Sequence, residues 1–183
     1  MTDAVLHFTR EEYDTRIAKT RTAMAERRLD LLIVSDPSNM GWLTGYDGWS
    51  FYVHQAGLVG LEGEPLWWGR GMDANGAYRT AFMAHENIIV YPDNYVQSSE
   101  RHPMDHLSGI IKERGWEKAR IGVEMDNYWF TAAAWESLKK HLPQATFSDA
   151  VGLVNWQRAI KSVNEIEFMR RAAKIVERMH ATI

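Results

Sequence analysis

Cysteine is absent from this chain of 183 residues. Disulfides, thiolate nucleophiles and Cys-ligated zinc are therefore excluded together, and the absence fits a reducing compartment. No apolar run approaches the roughly 18 residues that a membrane span needs. Met1 to Arg10 contains no apolar signal-peptide core. A cytoplasmic protein without membrane attachment is the expectation. Bulk positive charge is missing too. The chain has 21 Lys and Arg against 24 Asp and Glu, a formal net charge of −3. Nothing in that balance draws in phosphates, so no nucleic-acid partner is expected. Standard catalytic motifs are also lacking. Gly69-Arg70-Gly71 is not completed to a dinucleotide loop, because Ala74 holds the last place. His85-Glu86 has no second His at 89, and Ser50 lacks the closing Gly of a nucleophile elbow.

The rest is an ordinary globule, 45% hydrophobic and 25% charged, with the length of one domain, or of one domain with an appendage. Thr9 and Glu12 fit a capping box, with Phe8 and Tyr13 as its staple. Tyr13, Ile17 and Met24 then follow at helical spacing. Leu29 to Ser35 reads as a buried parallel strand. Asp36-Pro37 opens a helix that Gly45 stops. Residues 51–61 and 65–69 read as a hairpin around Glu62-Gly63-Glu64. Residues 70–86 are open between a turn at Asn75-Gly76 and a helix over Ala77 to Ala84. Strands are expected at 87–91, 120–124 and 145–148. Helices are expected at 103–114, at 127–141 capped by Asp126, and after a cap at Asp149. The fold expected is α/β, a mixed β-sheet with helices on both faces.

Ser162 and Glu165 form a second capping box. Ile166, Met169, Ala173, Val176 and His180 line one stripe of the helix that follows, and no stop signal appears before Ile183. The expectation is a chain cut near a domain boundary; a fraying last helix is the plainer reading.

Candidate chemistry concentrates in the aromatic residues. There are 8 Trp, 7 Tyr and 6 Phe, and seven of them fall between Trp42 and Trp68. Trp42, Tyr46, Trp49, Phe51 and Tyr52 interleave with His54 and Gln55. Ring faces attract planar, delocalised cations; packing of a hairpin against helices accounts for the same residues. Arg70, at a strand end, has the geometry to clamp a carboxylate, although a surface ion pair is the commoner fate of such a residue. His102, Asp105 and His106 have chelate-like spacing, which surface histidines also show. Glu124 and Asp126 end a strand where α/β folds place ligands, but capping alone explains Asp126.

Two segments carry a resemblance. Ser35-Asp36-Pro37-Ser38-Asn39-Met40 with Leu43-Thr44-Gly45, and Arg158-Ala159-Ile160-Lys161-Ser162 with Glu165-Ile166, Met169-Arg170 and Ala172-Ala173, resemble the N-terminal domain and joining segment of the creatinase/prolidase/aminopeptidase P superfamily. Within it, the runs at 44–55, 69–77, 95–99, 101–104 and 153–158 are most similar to the ectoine hydrolase branch. The resemblance implies a creatinase/prolidase-type N-terminal domain over 1–160. Residues 161–183 would be a joining helix that leads to an absent C-terminal pita-bread catalytic domain. In the peptidases of the superfamily that domain binds two divalent metals; creatinase works without metal.

By the same resemblance this domain is non-catalytic, with no metal or cofactor of its own. It contributes homodimer contacts and part of a pocket for a small zwitterionic substrate, lined by Trp49, Phe51, Tyr52, His54, Gln55 and Arg70. Phe51 aligns with a substrate-contacting Phe of creatinase; Val53 stands where creatinase has Arg, so His54 or Gln55 takes that place. The parent activity implied is hydrolytic ring opening of ectoine to an acetylated diaminobutyrate. A metal-dependent Xaa-Pro dipeptidase or aminopeptidase parent is the alternative, and a stand-alone binding or assembly domain the third.

Overall fold

The computed structural model describes residues 4–48, 50 and 52–183. Six strands form one sheet in the order β4-β3-β2-β1-β5-β6. They are β1 (Leu31–Val34), β2 (Ala56–Gly60), β3 (Leu66–Arg70), β4 (Ile88–Tyr91), β5 (Arg120–Val123) and β6 (Thr146–Asp149). β2 runs antiparallel to both neighbours; the β1–β5, β5–β6 and β3–β4 pairs are parallel. Five strands therefore point one way. Their carboxyl ends share one edge of the sheet with the start of β2.

Side-chain alternation sorts β1 between two cores. Leu32 and Val34 pack under α1 (Arg10–Glu26), α2 (Pro37–Thr44), α3 (Ala74–Thr80) and α6 (Leu153–Ala159). Leu31 and Ile33 pack under α4 (Pro103–Glu113) and α5 (Ala132–His141). The last helix, α7 (Val163–Thr182), has no buried residue, so the stripe from Ile166 to Val176 lies exposed. Among the described residues no helix is long and apolar enough to cross a membrane.

The mixed α/β sheet covered on both faces is the expected fold. Asp36 caps α2 through Ser38 and Asn39, and Gly45 ends it at φ 79°. Three boundaries differ from expectation. β2 begins at Ala56, later than the hairpin reading placed it; Phe51 lies outside the described residues. The helix expected from 127 starts at Ala132 under a Thr131 cap. Asp126 caps nothing there, because Asn127 folds the turn first: its Oδ1 accepts from Trp129 N (2.8 Å) and its Nδ2 donates to Glu124 O (2.7 Å). Asp149 accepts from Val151 N (2.9 Å), and Gly152, at φ 79°, takes the cap position of α6.

Candidate functional site at the carboxyl edge

The segment before β2 meets the ends of β3 and β4 at the carboxyl edge, where open α/β sheets place their ligands. Tyr91, the last residue of β4, donates its hydroxyl to the His54 carbonyl at 2.7 Å. Its ring packs against Trp68 of β3, centroids 4.7 Å apart. Burial pushes the Tyr91 hydroxyl pKa well above its ordinary value. The His54 backbone is thus held by a strand end, and its ring lies 4.7 Å from that of His102. His102 is itself fixed. Its Nδ1 accepts from Met104 N at 3.1 Å, and Asp105 closes the capping box of α4. The proton of neutral His102 is therefore on Nε2. Burial, then the neighbouring imidazole, lowers His54 to about 4. Burial also lowers His102, against the pull of Asp105. Both rings are uncharged at neutral pH.

These groups enclose a cavity of about 220 Å³, lined among others by Tyr52, His54, Tyr91, Tyr95, Gln97 and Arg101. Tyr52 stands at its rim, 63% exposed. Gln97 holds a left-handed backbone at φ 52°, unusual for a residue with a Cβ. The Arg101 guanidinium lies over the Tyr95 ring at 5.8 Å.

The structure thus brings Tyr52 and His54 together. Gln55 is buried beside them at the head of β2, and among the described residues neither of its amide atoms has a hydrogen-bond partner. Arg70 is engaged elsewhere: Nε and Nη2 reach the two carboxylate oxygens of Asp93 at 2.7 and 3.1 Å. That contact holds Asp93 below the usual carboxylate range. Trp49 and Phe51 lie outside the described residues. Tyr46 is a core residue, its ring 5.1 Å from that of Trp67. Tyr95, Gln97 and Arg101 were not singled out as site residues from sequence. Their signal was the pair of runs at 95–99 and 101–104 that carries the ectoine-branch resemblance.

His102, Asp105 and His106 do not converge. Asp105 accepts from His102 N and Ser137 Oγ (2.8 and 2.7 Å), and His106 Nδ1 accepts from Trp68 Nε1 at 3.2 Å. Among the described residues no three His, Asp or Glu side chains group to hold a metal ion.

The other half of the edge, at β1, β5 and β6, is built differently. Glu124 is buried, and its Oε2 accepts from Ser35 N and Asp36 N at 2.8 and 2.9 Å. Its Oε1 accepts from Asn39 Nδ2 at 2.6 Å, a nitrogen that also reaches Asn155 Oδ1 at 2.9 Å. Arg158 Nη1 donates to Asn39 Oδ1 at 2.6 Å. Burial raises the Glu124 pKa although these donors oppose it. These bonds join α2 and the end of β5 to α6 through Asn39, Glu124, Asn155 and Arg158. A cavity of about 610 Å³ lies between this body and the start of α7, with Arg16, Trp42, Arg158 and Glu165 in its walls.

Comparison with known proteins agrees with this architecture. The Creatinase/Prolidase N-terminal domain family matches residues 16–160. The ectoine hydrolase of Halomonas elongata is 60% identical over the whole of this chain and 46% of its own length. An uncharacterised hydrolase/peptidase of Sinorhizobium fredii is 43% identical over 96% of this chain and 45% of its own. The chain spans about half the length of these relatives. The Xaa-Pro dipeptidase of Bacillus anthracis, 20% identical, superposes with a TM-score of 0.70 over 93% of this chain and 44% of its own, a likeness of fold. The motifs at both ends, the sheet order and the family match agree, and the chain belongs to the creatinase/prolidase N-terminal domain family.

Proposed function

We propose that this chain is the N-terminal, non-catalytic domain of a cytoplasmic, homodimeric ectoine hydrolase. It supplies dimer contacts and one wall of the substrate pocket to a separate C-terminal catalytic domain. The observation that carries the reading is the 60% identity to an ectoine hydrolase over the full chain. The site supports it physically. Ectoine is a small cyclic amidinium carboxylate, and the cavity beside Tyr52 and His54 is small, aromatic and at the ligand-binding edge of the sheet. In the reaction water adds to the amidine carbon, one ring C–N bond breaks, and the nitrogen leaves as an amine. The domain's residues bind and orient; they do not attack. Among the described residues no three His, Asp or Glu side chains group to hold a metal ion, and the Ser98 hydroxyl at this cavity accepts from the backbone N–H groups of Glu100 and Arg101.

The test is to follow ectoine and a set of Xaa-Pro dipeptides by NMR with two proteins, the 183-residue chain and the full gene product that carries it. Ring opening of ectoine by the full product alone is expected. Dipeptide cleavage with ectoine untouched would replace this reading with a peptidase. Ectoine turnover by the 183-residue chain by itself would refute the non-catalytic role.

A further inference from the structure

We infer that the cavity beside Tyr52 is a carboxylate-recognition subsite, and that Arg101 is its specificity-determining residue for small zwitterions that join a carboxylate to a planar cation. The ligand's identity rests on the reading above; the anion site rests on the cavity.

Charge decides the assignment. Arg70, the strand-end cation, already makes a two-point contact with Asp93. The imidazoles of His54 and His102 are neutral at physiological pH, because burial and their own proximity disfavour a second charge. Among the described residues that line the cavity, Arg101 alone carries a full positive charge. Among the described residues its one ion-pair contact is to Glu100, its sequence neighbour, at 3.5 Å, and that carboxylate is 80% exposed. A contact at that distance between solvated groups is weak, so the guanidinium fork keeps donors for a planar anion. Asp105, a half-buried carboxylate four residues on, is occupied by His102 N, Ser137 Oγ and His141 Nε2. It does not compete for Arg101.

Position follows from packing. The Ser98 hydroxyl accepts from the backbone N–H groups of Glu100 and Arg101 at 3.2 and 3.3 Å, which fixes the turn that carries Arg101. The side chain then crosses the Tyr95 ring. A ligand carboxylate on Arg101 leaves the ligand's delocalised cation on the side of the exposed Tyr52 ring at the rim, where a ring face favours it. The volume of about 220 Å³ suits a single small ring; drug-sized ligands take roughly 300 Å³ or more.

The experiment compares ectoine with the same amidine ring lacking its carboxylate, using the full gene product and its R101Q and R101K variants. The ratio of kcat/KM for ectoine over the bare ring is expected to fall roughly ten- to hundredfold in R101Q, the range of a lost charge-assisted hydrogen bond. R101K is expected to recover part of it. An unchanged ratio in R101Q overturns the inference. Should the wild type not act on ectoine at all, the functional reading fails alone. The subsite is then judged by titrating the 183-residue chain with acetate. A shift of the Arg101 Nε–H resonance that also appears at His54 and His102 supports it, and no shift at Arg101 overturns it.

Discussion

Replacing Arg16 by Met should cost about 3 kcal/mol of folding stability, because it strands two carboxylates that the fold has largely withdrawn from water. Arg16 is 4% exposed, Glu12 13% and Glu165 17%. Its Nη2 reaches Glu12 Oε1 at 2.8 Å and Glu165 Oε1 at 3.2 Å, and its Nη1 donates to Trp42 O at 3.0 Å. The guanidinium also sits 4.2 Å from the Phe8 ring centroid and 5.1 Å from that of Trp42. Breaking one partner out of a buried ion pair costs about 3–5 kcal/mol. The residual exposure of both carboxylates puts this case at the low end. Met keeps the volume of the stem, so the loss reports charge and hydrogen bonds rather than a void. Urea unfolding should show a lower midpoint at unchanged m. The pH dependence carries a second signature. Burial works to raise the Glu12 pKa, but hydrogen bonds from Asn164 and Ser162, with the charge of Arg16, leave it lowered from 4.5. A depressed carboxylate stabilises the fold above that value and loses the contribution as pH falls through its folded pKa. R16M should flatten that acid limb. A cost under about 1 kcal/mol, or an equal cost in an E12Q/E165Q background, would refute the reasoning, since the cycle isolates the coupling.

Two further perturbations bear on the site. His54 should titrate near 4 by NMR. A neutral folded imidazole opposes unfolding less as pH falls, because the unfolded ring takes its proton from about 6.5 downward. H54Q should therefore remove a loss of stability between pH 6.5 and 4, and an ordinary His54 titration would contradict the buried ring pair. Gln55→Leu should raise stability by about 1–3 kcal/mol, the cost of leaving buried polar atoms unpaired. The same variant should lower activity of the full gene product; a fall in Tm would show that the amide has partners.

Sequence legibility tracked how local the signal was. Asp36, Pro37 and Gly45 each act within a turn of their own position, and α2 follows from them without help from the rest of the fold. The same holds for Ser162 and Glu165 at α7. Asp126 failed as a cap because Asn127 found Glu124 O and, 92 residues away, Ser35 Oγ, and no local pattern announces a partner at that range. Asn75-Gly76 is likewise a turn signal overridden. α3 runs straight through it and stops only where Phe82 N turns to Thr44 O at 3.0 Å. The aromatic run was legible as a concentration of rings but not as a site. Spacing along the chain cannot say that Tyr46 faces the core while Tyr52 faces solvent. Arg101 was harder still, since only the approach of β4 and α4 at the sheet edge puts it beside His54.

The segments that carry the superfamily resemblance bind to each other and to the start of α7. Asn39 of the first meets Arg158 of the second directly. Glu165 of the second accepts from Trp42 Nε1 at 2.9 Å and from Arg16, while its other oxygen caps α7 at Ser162 N (2.7 Å). These contacts fix how α7 leaves the domain, and they lie on the β1–β5–β6 half of the carboxyl edge. The cavity of Tyr52, His54 and Arg101 lies on the β2–β3–β4 half, and among the described residues the two sets of side chains share no hydrogen bond. Substitutions confined to the second set are expected to leave the angle at which α7 departs unchanged. Under the proposed function, substitutions in residues 52–54 and 95–102 are expected to change substrate choice, measured as kcat/KM ratios of the full gene product.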